Sequence, residues 1–232
     1  MAQLYFVPEW FFGYNIFLEI IFFLITMVVA SYSFKVYRAS SERNSKLFSL
    51  AFILIALSYF TLAILNLIFL SVIRGELRVL SLDEFTTLKN LAIYSYIALF
   101  ILGFATLLCS TFRTKNRSVY FALVLTAFLG VYISAEKSVY LYLFSSLMLT
   151  FVAYHQAKEC QHHKTRNCLL VFLGMFFLLA AQIVLVAQAF YFISSLYVVS
   201  NFLELTAYLL LIASLSNVLK YGKKKKPSGN YP

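Results

Sequence analysis

The chain has 232 residues, 62% of them hydrophobic and only 12% charged, with a mean hydropathy of +0.84. Soluble domains carry about 25% charged residues, so this composition belongs in lipid and leaves no stretch for an appended soluble catalytic or DNA-binding domain. The net charge of +10 does not call for nucleic acid, because the basic residues alternate between connections in the pattern that sets membrane topology.

Residues 1–13 hold Tyr5, Phe6, Trp10, Phe11 and Phe12 around Pro8 and Glu9, which reads as an aromatic anchor at the outer interface. The basic n-region of a cleavable signal is absent, so the first helix is expected to be retained. Residues 14–221 then form one transmembrane domain of seven apolar stretches. These are Tyr14–Arg38, Lys46–Ile73, Leu88–Phe112, a short one over Ser118–Ser134, Val139–Ala157, Cys168–Ser194 and Leu196–Tyr221. Each is long enough, or nearly so, to cross a hydrocarbon core of about 30 Å. The last break, near Ser194 and Ser195, is marked by no Gly or Pro. Short connections predict sequential antiparallel neighbours. Residues 74–87 are the exception, and their alternating polarity predicts a small hairpin or a surface helix. Residues 222–232 form a basic tail containing Lys223–Lys226. It reads as a topology anchor, able to hold anionic lipid at about 1 kcal/mol per charge.

Seven crossings place Lys35, Arg38, Arg43, Lys46, Arg113, Lys115, Arg117, Lys158, Lys164, Arg166 and the tail lysines on one side. On the other side Arg74, Arg78, Lys89 and Lys137 are offset by Glu76, Asp83, Glu84 and Glu136. The positive-inside rule then puts the N-terminus outside and the C-terminus inside, in a multi-pass protein of the cell membrane. Cys109, Cys160 and Cys168 fall at the inner side, where no disulfide is expected.

A parallel repeat of three helices, a linker helix and three helices is also legible. Val29–Lys35 lies over Val152–Lys158, Asn66 over Gln188, Tyr96 over Glu204 and Ala105 over Ala213.

Intramembrane polar groups are few, and their depths agree. Counted at 1.5 Å per residue from the outer helix ends, Glu19, Asn66, Gln188 and Glu204 lie roughly 8–12 Å deep, with Tyr94 and Tyr96 at similar or shallower levels. Helical stripes put Glu19 with Thr26, Ala30 and Ser33; Asn66 with Tyr59, Ala56, Phe52 and Ser49; and Tyr96 with Gly103, Thr106 and Ser110. Asn201, Glu204 and Tyr208 share a stripe on helix 7, and Gly174, Ala181 and Gln188 share one on helix 6, with Gln182 pointing elsewhere. The candidate ligand-binding set is therefore Glu19, Asn66, Tyr96, Gln188, Asn201, Glu204 and Tyr208.

A carboxylate inside a span costs on the order of 2–3 kcal/mol and usually faces a bundle interior or a wet cavity. One reading makes these groups interhelical glue at about 0.6 kcal/mol a pair. The other makes them an outward-opening pocket for a cationic or polyhydroxylated ligand, or for protons. Two carboxyls in one layer exceed what packing requires. The cluster of His155, Cys160, His162, His163 and Cys168 fits no standard zinc spacing, so no metal is expected there.

Seven spans, an outside N-terminus and the insertion after helix 2 resemble the layout of the microbial rhodopsins. That resemblance covers the chain at the level of layout only. Helix 7 has no lysine before Lys220, so no retinal cofactor and no site residue carries over. The small seven-helix sugar transporters share the repeat plan, but their Pro-Gln motifs are absent. No Walker loop, nucleophile elbow or zinc-protease motif is present, so an enzyme is not expected. The leading expectation is a receptor-like or sensory protein that binds an unknown small ligand or proton and acts through a separate signalling partner. The alternative is a small-solute or proton-coupled transporter, and the third reading is a membrane scaffold.

Overall fold

A computed structural model describes residues 12–73, 82–112, 117–134, 136–163, 165–191 and 193–224. The N-terminal aromatic residues 1–11, the first half of the insertion at 74–81 and the tail beyond Lys224 lie outside these. Seven α-helices and no strand are found among the described residues: α1 Phe12–Ser40, α2 Arg43–Ile73, α3 Leu82–Thr111, α4 Arg117–Ile133, α5 Lys137–His163, α6 Arg166–Tyr191 and α7 Ser194–Lys224. Six are long and apolar enough to cross a membrane, and α4 is the shorter one.

Several boundaries differ from expectation: α5 runs on to His163, six residues past the expected Ala157, and two others bear on the layout. The second half of the 74–87 insertion is the start of α3, not a hairpin. Its sequence, Ser81-Leu-Asp-Glu84, is a capping-box pattern with acids in the first turn, which favours a helix start over strand alternation. The α6–α7 break also comes earlier, after Tyr191, in a turn where the Leu196 N–H reaches the Ile193 carbonyl at 3.1 Å.

Contact pairs fix the helix directions. Ser33 donates to the Ser45 carbonyl, Ser49 to the Ala30 carbonyl, and Asn66 to Glu19, so α1 and α2 run antiparallel. Ser110 bonds the Asn44 carbonyl and Ser214 the Asn167 carbonyl, at 2.8 and 3.1 Å, tying α3 to α2 and α7 to α6 near one face. Asn15 with Tyr197 and Phe22 with Tyr208 make α1 and α7 parallel neighbours. Together with the α3–α5 and α5–α6 packing, these contacts close a ring in the order α1, α2, α3, α5, α6, α7. Each helix packs on the next in sequence, as the short connections predict, but α4 touches only α3 and α5 and lies outside the ring. It must still return the chain from one face to the other. Its 17 residues rise about 26 Å, just short of the hydrocarbon thickness.

Large apolar side chains cover the outside of this ring: Phe17, Leu24, Phe60, Leu67, Phe121, Phe151, Phe176, Ile183, Phe202 and Leu209 are all exposed. A soluble protein would not leave such continuous apolar surface to water. This is an integral, multi-pass membrane bundle.

With lipid outside, packing relies on small residues at the crossings. A Cβ on Gly103 would meet the Ile55 side chain at 2.6 Å and the Ala51 carbonyl at 3.2 Å; one on Gly174 would meet Leu211 at 3.0 Å and the Ala207 carbonyl at 3.2 Å. Replacing Gly103 by Val should therefore lower stability by about 1–3 kcal/mol. Gly13, with nothing around its Cβ position, should tolerate Ala without loss. Thermal unfolding of the two variants in detergent checks this difference.

Candidate functional site: an acidic cavity on the ring axis

Glu19 and Glu204 line one cavity of about 50 Å³ together with Phe22, Tyr59, Leu62, Tyr96, Phe100, Tyr142, Gln182, Leu185, Tyr197 and Asn201. All six ring helices contribute. The two carboxyls are 3% and 5% exposed, yet each has its own set of donors. Around Glu19, the Asn15 Nδ2 donates to Oε1 at 2.7 Å, and the Asn66 Nδ2 reaches Oε1 and Oε2 at 2.7 and 2.8 Å. Tyr197 in turn donates to the Asn15 Oδ1 at 2.6 Å. That chain joins α7 to α1 to α2.

Around Glu204 the donors are phenols. Tyr59 donates to Glu204 Oε1, Tyr208 donates to the same oxygen at 3.0 Å, and the two hydroxyls are 3.1 Å apart. Three oxygens thus form a triangle. The two phenol hydrogens satisfy the two edges that meet at Glu204, and on the third edge, between Tyr59 and Tyr208, either hydroxyl can donate. Phe22, Phe52 and Tyr59 wall Tyr208, with ring centroids at 6.0, 6.3 and 6.4 Å.

The helical stripes place most of the expected residues correctly. Glu19, Tyr96, Asn201 and Glu204 line the cavity, Asn66 holds Glu19, and Tyr208 holds Glu204. Gln188 is buried but is not among the lining residues. Tyr94, placed in the layer by depth, instead faces outward, 46% exposed and paired with Lys137. Gln182 reverses expectation: it is 1% exposed and lines the cavity. A strict seven-residue stripe misses it. The buried face of α6 is wider, running through Leu178, Ala181, Gln182 and Leu185, and it includes both neighbours one helical step apart. Asn15, Tyr142 and Tyr197 were missed as well. Asn15 stands four residues before Glu19, a spacing that puts both on one helical face and would have found it.

A second cavity, of about 420 Å³, lies at the opposite end of the same ring. It too draws on all six ring helices, with Ser33, Asn44, Ser110, Gln156, Val171 and Leu215 among its lining, which also includes Glu42, an exposed residue, and Glu159. The layer between the two cavities is sealed. Thr26, Val29, Phe52, Ile55, Phe104, Leu107, Met148, Met175, Leu178, Tyr208 and Leu211 are each 3% exposed or less. Its thickness agrees on α1, α2, α6 and α7, whereas Phe100 to Ser110 on α3 spans about 15 Å and Tyr142 to Gln156 on α5 about 21 Å at 1.5 Å per residue. Phe22 to Ser33, Phe48 to Tyr59, Val171 to Gln182 and Glu204 to Leu215 each span about 16 Å at 1.5 Å per residue.

What fold and site define is a helical membrane bundle with an acidic core. No protein-family model, no curated protein and no solved structure matches the chain.

Asn66→Leu should cost about 1–3 kcal/mol, because it strips Glu19 of two N–H contacts and leaves a buried carboxyl short of donors. Replacing Glu19 by Leu in that background should recover most of the loss. Melting temperatures of the single and double variants decide it, and a further fall in the double variant would contradict the assignment.

Proposed function

We propose that the protein passes protons or a small cation across the membrane along the axis of the six-helix ring, as a transporter and not an enzyme. One observation carries the reading. Two cavities, each with two glutamates in its lining, are formed by the same six helices and are separated by a layer of buried side chains. A pocket for a drug-sized ligand occupies about 300–1,000 Å³, which the 50 Å³ cavity cannot offer. Room for a few waters or one small ion is what it has. Such a size weighs against a bulky ligand between Glu19 and Glu204, though the second cavity, of about 420 Å³, is larger.

The repeat expected from the sequence would suit the same reading. Under its alignment Gly103 corresponds to Leu211 and Phe52 to Gly174. The tight approach of Gly103 to Ala51 and Ile55 then falls at the level where Gly174 meets Leu211. Two similar three-helix units around a central site are a common transporter plan, in which one unit rocks against the other. The Glu204 triangle supplies a group that takes up and returns a proton at the boundary of the sealed layer.

A second, sensory reading draws on the seal itself, since an ion that enters and leaves by one face would act through a change in packing. Reconstitution separates the two. Vesicles containing the protein and a trapped pH dye should show potential-driven flux above protein-free vesicles. Glu204→Gln should return that flux to background, and Phe52→Ala, which thins the seal, should raise a leak. No flux in either the native protein or Phe52→Ala would sink the transport reading, and ligand-induced thermal stabilisation would then favour the sensory one.

A further inference from the structure

Gln182 is 1% exposed, lines the cavity between Glu19 and Glu204, and has a side-chain carbonyl with no hydrogen-bond donor. A buried acceptor left this way is costly, because it has given up water and gained no donor. Its neighbours in the lining are two carboxyls and the rings of Phe22, Tyr59, Phe100 and Tyr142; no Lys, Arg or His is among them. An anion is therefore excluded by charge. Eight of the twelve lining residues carry side-chain oxygen, which also suits a bare metal ion, whereas Phe22, Leu62, Phe100 and Leu185 would leave part of its shell empty. An N–H cation fits both kinds of wall. Its hydrogens can be shared among carboxyl and amide oxygens, and its charge is attracted by aromatic faces.

Size narrows the class further. At roughly 10–15 Å³ per water on this measure, a cavity of about 50 Å³ takes ammonium with a little water, or methylammonium. Tetramethylammonium would not fit with its shell of contacts.

We infer that the ion carried is ammonium or a one-carbon amine in its cationic form, held between the carboxyls of Glu19 and Glu204 with the Gln182 carbonyl as the selecting acceptor. The inference rests on the ion-passage reading above and adds the chemistry of the cargo. Gln182 acts here as a specificity determinant and not as interhelical glue, since its oxygen bonds no other helix.

The test is uptake of labelled methylammonium into proteoliposomes under an inside-negative potential, with protein-free vesicles subtracted. Saturable uptake is expected, suppressed by excess ammonium and not by tetramethylammonium. Gln182→Leu should raise KM by about fivefold, the worth of one lost hydrogen bond. It should leave the melting temperature unchanged or higher, because an unpartnered buried oxygen has been removed; glue would give the opposite. Gln182→Met serves as a second variant of closer shape. Proton flux without methylammonium uptake would overturn this inference and spare the ion-passage reading. Uptake with an unaltered KM in both variants would overturn the role of Gln182 and the inference with it. Absence of both flux and uptake would remove both proposals.

Discussion

A carboxyl inside a lipid-embedded bundle can be kept only where other helices bring donors to it, and here two carboxyls impose that requirement at one level. Glu19 stands near the start of α1 and Glu204 in α7, at opposite ends of the chain. The donors of Glu19 reach it from α1 and α2, with Tyr197 of α7 anchoring Asn15. Those of Glu204 come from α2 and from its own helix. Satisfying both therefore draws α7, α1 and α2 together and closes the ring. Apolar packing alone gives no such direction, because the lipid outside is as apolar as the core. The polar layer is what makes the ring a specific arrangement among many that seven apolar helices could adopt.

Closure of the ring has a consequence for function. It leaves an axis that is polar and acidic at two levels and sealed between them by Phe52, Tyr208, Phe104 and the aliphatic residues packed with them. Tyr208 belongs to both regions, since its hydroxyl completes the Glu204 triangle while its ring is walled by Phe22 and Phe52. A change in the protonation or occupancy of Glu204 is thus mechanically adjacent to the seal.

Much of this was legible in the sequence where periodicity is strict. The stripes on helices 1, 2 and 7 name Glu19, Tyr59, Asn66, Asn201, Glu204 and Tyr208, and all of them are buried as those stripes require. Misreadings arose where one number replaced a three-dimensional face. Depth alone put Tyr94 in the core although its helical angle turns it to Lys137. A seven-residue spacing chose Ala181 over Gln182, although a helix buries an arc wide enough for both. The position of α4 outside the ring was not legible at all, since its length and hydropathy are those of any short span. Only the direct packing of α3 on α5 expels it. Nor does sequence show the size of a cavity, which depends on how Tyr59, Tyr96, Phe100 and Tyr142 fill the space around the carboxyls, and that size redirected the functional reading from ligand receptor to ion passage.

The central claim is that Glu19 and Glu204 share one cavity, and a double-mutant cycle on Glu19→Gln and Glu204→Gln tests it most directly. Unfolding free energies of the two single variants and the double variant in one detergent give the coupling between the carboxyls. The account predicts non-additivity of at least about 0.5 kcal/mol, as for groups in contact through a common space. Effects that add to within about 0.3 kcal/mol, as for distant sites, would contradict it.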